Sequence, residues 1–139
     1  MLDRLIGVAA ALVALAPLAA PAMSEGAARE KVSAFLADYL GVSEADSSKD
    51  VAITLADLNG DGTDEALVVY SSPLYCGAGG CSAFVLELSA QKACSRADLL
   101  AFELAPGTTE HDGWRDVVAD GITLRYAGGK YGGGSSTCK

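Results

Sequence analysis

The sequence predicts an α+β fold: an N-terminal helix packed on a mostly antiparallel meander sheet, stapled by disulfides. Three observations predict it. A single stretch of helical apolar periodicity is followed by short segments rich in Val, Ile, Leu and aromatics, bounded by Gly, Asn, Asp, Ser or Pro. The connections between those segments hold about three to twelve residues, too few for the crossover helix that parallel pairing requires. There are also four cysteines, an even number that suits a disulfide framework. With 139 residues, half of them apolar, the chain supports one domain with a real core.

In chain order, MLDR leads into LIGVAAALVALAPLAA, an apolar run too short to span a bilayer and broken by Pro17, and then into Ala20-Pro21-Ala22, a small-residue cleavage pattern. Residues 1–22 are therefore expected to be a signal peptide. Residues 23–139 are expected to be one α+β domain with a flexible glycine-rich C-terminus, periplasmic or secreted, with no stable membrane insertion after cleavage. From Ser24 to Leu40, Ala28, Val32, Phe35, Leu36, Tyr39 and Leu40 recur at helical spacing, with Ser24 placed to cap the start and Gly41 to end the helix. Residues 43–50 read as a polar connector. Strands are expected at Val51–Ala56, Glu65–Ser72, Ser82–Ser89, Ala97–Ala105, Trp114–Ala119 and Gly121–Ala127. The second is apolar on both faces at Leu67, Val68 and Val69 and should lie centrally under the helix, and Asp120-Gly121 should form a tight turn.

In an oxidising compartment the thiols pair in preference to binding metal or working as a redox centre. Four cysteines allow three pairings, and Cys76 with Cys81 and Cys94 with Cys138 is favoured because Gly77, Gly79 and Gly80 let a short loop close.

Acidic composition narrows function. Asp and Glu number 18 against 10 Lys and Arg, a net charge of −8, with no basic cluster to reward phosphate, so nucleic acid is not an expected partner. A cation or a basic partner suits better. The stretch DLNGDGTDEALVV, beginning at Asp57, places oxygen donors at alternate positions up to a glycine. It is not an EF-hand, because position twelve is Val68 and the flanks are strands rather than helices. The coordination chemistry survives. Side chains of Asp57, Asn59 and Asp61, the Thr63 carbonyl and Glu65 make a hard-oxygen set that suits Ca²⁺ better than Zn²⁺ or Mg²⁺. The loop resembles the DxDxDGxxD calcium loops of integrin-type FG-GAP repeats, with Glu65 in place of the last aspartate and a single copy where a propeller needs several.

A second resemblance spans most of residues 50–132. A strand, DLNGDGTDEALVVYSS, the CGAGGC loop, SAFVLEL, GWRDVV and LRYAGGKY are similar in order to a group of small exported proteobacterial proteins of unknown function. That resemblance implies a fold and a compartment more than an activity. The pair Cys94 and Cys138 departs from its pattern.

Catalysis is not expected. His111 reads as a solvated histidine in the polar connector TTEHDGW, the serines lack a nucleophile-elbow context, and no phosphate loop or zinc spacing occurs. The leading expectation is a non-catalytic calcium-binding domain acting as a binding or structural module toward a protein or glycan partner. The alternative is an inhibitor of a periplasmic or host enzyme that presents the Cys76–Cys81 loop, as some periplasmic lysozyme inhibitors do with a similar cysteine-closed loop, with Tyr75, Trp114 and His111 as candidate contacts. Trp114 is expected to anchor a hairpin on the core with Arg115 and Asp116 outside. A sharper reading makes Trp114, Tyr126 and Tyr131 an aromatic ledge for a glycan.

Overall fold

Ser24 starts helix α1 (Glu25–Leu40) as expected, its hydroxyl oxygen accepting from the Ala27 amide at 3.1 Å, and Gly41 ends it in the left-handed region at φ 69°. The computed structural model describes residues 9–16 and 23–139. The expected signal peptide, residues 1–22, lies outside the described residues except for 9–16, which have no regular secondary structure. Ala28, Val32 and Leu36 form the buried stripe of α1. Inside the expected polar connector a one-turn helix, α2 (Glu44–Ser47), is capped by Ser43. It docks on α1 through the fully buried Ser47, whose hydroxyl lies 2.8 Å from that of Ser33.

The strands form two main sheets rather than one. In the larger, β1 (Val51–Ala56), β2 (Glu65–Tyr70), β4 (Gly80–Leu88) and β5 (Ala93–Ala101) pair antiparallel in that order, and the short β3 (Cys76–Gly77) extends the β2 position beside β4. The second sheet is β6 (Leu104–His111), β7 (Trp114–Ala119) and β8 (Ile122–Leu124). A small hairpin, β9 (Tyr126–Ala127) with β10 (Lys130–Tyr131), follows. The single strand expected over Ala97–Ala105 is thus two, broken at Phe102-Glu103, and the one expected over Gly121–Ala127 divides into β8 and β9. The Asp120 carboxylate makes the first break a corner by accepting from the Phe102 and Glu103 amides at 2.8–3.1 Å. Asp120-Gly121 is the expected tight turn, both residues at positive φ (48° and 81°), which matches the mirror-image turn that two-residue hairpins prefer.

Every residue of β2 is buried, which fulfils the expectation of a central strand apolar on both faces. Ala66, Val68 and Tyr70 join Phe84, Leu86 and Leu88 against α1. Leu67 and Val69 face the other way and meet Val85, Ala97, Val117 and Ala119 between the sheets. The architecture is therefore three-layered: helix, five-stranded sheet, three-stranded sheet. Tyr126, Tyr131 and Leu58 fill one end of the inter-sheet layer.

Both disulfides form as favoured, Cys76 with Cys81 across the β3–β4 turn and Cys94 with Cys138. The second ties the glycine-rich C-terminal segment to β5. There Thr137 donates its amide to the Ser95 carbonyl at 2.9 Å, and the Ser136 hydroxyl donates to the same carbonyl at 2.8 Å. Because the first bridge closes only a short loop, replacing Cys76 and Cys81 together by serine should cost roughly 2 kcal/mol in urea unfolding. An unchanged midpoint would show that the β3–β4 turn closes without it.

Candidate metal centre

The residues from Asp57 to Asp64 join β1 to β2, so the acidic loop closes the hairpin that carries the central strand. Its side-chain oxygens fold the loop by accepting backbone hydrogens. Asp57 Oδ1 accepts from Gly60 at 2.8 Å and Oδ2 from Gly62 at 3.0 Å, Asn59 Oδ1 accepts from Asp61 at 3.0 Å, and Asp61 Oδ1 accepts from Thr63 at 2.8 Å. Gly60 and Gly62 take positive φ (75° and 86°), the conformation that lets a chain turn this sharply. Asp61 is exposed, whereas Asp57, Asn59 and Thr63 are half-buried.

Glu65 behaves differently from the other acidic residues of the loop. It begins β2 on the face that looks into the inter-sheet layer, and it is 1 % exposed. Its Oε2 reaches back across the base of the loop to accept the Leu58 amide at 2.7 Å. Its Oε1 is buried without a hydrogen-bond partner. Burial pushes this carboxyl up to about 7; the Leu58 hydrogen bond opposes the rise, and the charges of Asp61, Asp57 and Glu87 add to it. A buried carboxylate with one orphaned oxygen is costly unless something positive compensates it. A hard cation at the base of the acidic loop would supply that positive charge. Asp57, Asn59, Asp61, the Thr63 carbonyl and Glu65 are the residues that would hold it.

The carboxylates are not already gathered on one point. Among the described residues, the trio of potential ligand side chains with donor atoms within 4.8 Å of one another is Glu87, Cys94 and Cys138. It is no metal centre, because both sulfurs are spent in a disulfide and Glu87 Oε2 receives Arg96 at 2.7 Å.

Of the three candidate contact residues, His111 and Trp114 lie opposite each other across the β6–β7 pair, and Tyr75 is on the other side of the large sheet. Tyr75 packs against Tyr70 on the helix side of the large sheet, with ring centroids 5.1 Å apart. Trp114 lies in the inter-sheet layer, stacked on Tyr126 at 4.6 Å and edge-on to Tyr131 at 6.4 Å, with the Arg96 guanidinium 5.3 Å from its ring centre. Tyr126 and Tyr131 are buried at 6 % and 2 % exposure, so the trio forms core packing rather than a ledge on which a sugar could stack. Trp114 anchors its hairpin as expected.

Asp116 corrects the sequence reading, because it is fully buried rather than outside. It gathers the Thr109 hydroxyl at 2.6 Å, the His111 Nδ1 at 2.7 Å and the Tyr126 amide at 3.1 Å. His111 is likewise not a free loop histidine, since it closes β6 and orients its ring on Asp116. The expected connector TTEHDGW is largely strand, turned by Asp112-Gly113, both at positive φ. Sequence reasoning also passed over Leu58, a loop residue whose side chain is 2 % exposed between the sheets and whose carbonyl accepts the Arg115 amide at 2.7 Å. The signal for it was a lone leucine among turn formers.

Comparison of the chain with protein-family models, with curated proteins and with solved structures gives no match. No helix among the described residues is long and apolar enough to cross a membrane.

Proposed function

We propose that this chain is a non-catalytic calcium-binding domain, a binding or structural module for an oxidising compartment outside the cytoplasm. The observation that carries the reading is the buried Glu65 carboxylate, with one oxygen unpartnered at the base of an acidic loop. A bound divalent cation would supply positive charge to that oxygen and join the two ends of the β1–β2 loop. The likeness of the loop to FG-GAP calcium loops supports the choice of ion. Two disulfides support the compartment, since such bonds persist where thiols are not kept reduced.

Calorimetric titration of the oxidised protein with calcium tests this directly. One saturable site is expected, with a Kd of roughly 10⁻⁴ to 10⁻³ M, lost in Asp61→Ala. By mass action, about 2 mM calcium would then add about 0.6 to 2 kcal/mol of stability. No saturable heat, together with a melting temperature indifferent to calcium, would sink the reading.

A further inference from the structure

We propose that cation occupancy of the acidic loop is coupled to the packing of Trp114 through an unbroken series of hydrogen bonds between the sheets. The inference rests on the calcium reading above. From the loop inward, Glu65 Oε2 accepts the Leu58 amide at 2.7 Å, the Leu58 carbonyl accepts the Arg115 amide at 2.7 Å, and the Arg115 carbonyl accepts the Tyr131 hydroxyl at 2.5 Å. The Tyr131 ring meets Tyr126 edge-on at 5.1 Å and Trp114 at 6.4 Å. The Leu58 side chain plugs the same cluster, so one residue belongs to both the loop and the core.

Coupling needs an element with two positions, and in this proposal that element is the Glu65 carboxylate. With a cation, the carboxylate stays inside and holds Leu58. Without one, the charges that act on it, those of Asp61, Asp57 and Glu87, are all negative, and the Arg96 guanidinium is committed to Glu87 and to the Gly129 carbonyl. Swinging the carboxylate out to water relieves that burial, but it breaks the Leu58 amide bond and loosens the plug beneath Trp114. A cation binds the inward position alone, so it shifts the population toward the packed cluster. By reciprocity, a change in the cluster that never touches the ion must alter its affinity.

Trp114 is the only tryptophan, so its emission reports this cluster without labelling. In the intact, oxidised protein, calcium should change that emission with the same midpoint as the calorimetric heat. Tyr131→Phe, which removes the hydroxyl at the end of the series, should weaken calcium binding by about fivefold, the equivalent of one hydrogen bond. Calcium heat with unaltered Trp114 emission overturns the coupling and leaves the calcium reading standing. Unaltered calcium affinity in a folded Tyr131→Phe protein does the same. Absence of calcium heat overturns both.

Discussion

Asp116→Ala is expected to cost about 2 to 3 kcal/mol of folding stability, because it strips the acceptor from the buried Tyr126 amide and removes the shared partner of the Thr109 hydroxyl and the His111 ring. The Thr109 hydroxyl, the His111 ring and the Tyr126 amide all converge on this one fully buried side chain. They come from β6 and β9, so Asp116 ties its paired strand β6 and the separate β9–β10 hairpin to β7. Burial pushes its carboxyl up, but hydrogen bonds from Thr109, the Tyr126 backbone and His111 outweigh that and hold it below its ordinary 3.8. A depressed folded value stabilises the protein above the unfolded value, and this stabilisation is lost as pH falls through the folded value. Wild type should therefore lose stability below about pH 4 more steeply than the variant does. Urea unfolding at neutral and acid pH measures both effects, and Asp116→Asn, which keeps the side-chain volume, should be the milder change. A loss below about 1 kcal/mol in Asp116→Ala would mean the convergence is incidental.

Glu65 has the opposite sign. In chelator-treated protein with the carboxylate inside, its folded value of about 7 stands above the ordinary 4.5, so the cost of keeping it there is absent below the lower value and grows as pH rises to the upper one, driving the outward swing. The full difference corresponds to about 3 kcal/mol, lost between pH 5 and pH 8. Asp57, Asp61 and Glu87 face this carboxyl and all act in the same direction. Glu65→Gln should flatten the profile, and calcium should restore wild-type stability at the alkaline end. Equal stability of the chelator-treated wild type at pH 5 and pH 8 would remove Glu65 from this role.

These two residues also mark where sequence reading stops. Caps, helix periodicity and the apolar doublets of β2 are local signals, and the helix, the central strand and the cysteine pairing were legible from them. Asp116 was not, because its partners are brought from positions 109, 111 and 126 by tertiary contact, and a charge inside WRDVVA looks solvent-facing until they arrive. The corner at Phe102-Glu103 contains neither glycine nor proline. Asp120, 17 and 18 residues later in the chain, makes it. β6 reads as a connector because Thr108, Thr109 and Glu110 are exposed, leaving the Asp112-Gly113 turn without the apolar flanks that usually announce a hairpin. In the loop, alternation of oxygen donors was visible, but the inward course of Glu65 depends on Leu58 being buried.

The tie between Cys94 and Cys138 has a consequence beyond holding a chain end. β5 is the outermost strand on its side of the large sheet, and such a strand offers unpaired backbone groups to any other chain that can extend alongside it. The C-terminal segment occupies part of that border through Ser95, and Gly134 passes so close that an added methyl group would lie 2.8 Å from the Asp98 carbonyl oxygen. The disulfide keeps an internal guard on the sheet, so its loss would uncover a surface competent for self-association as well as release a tail.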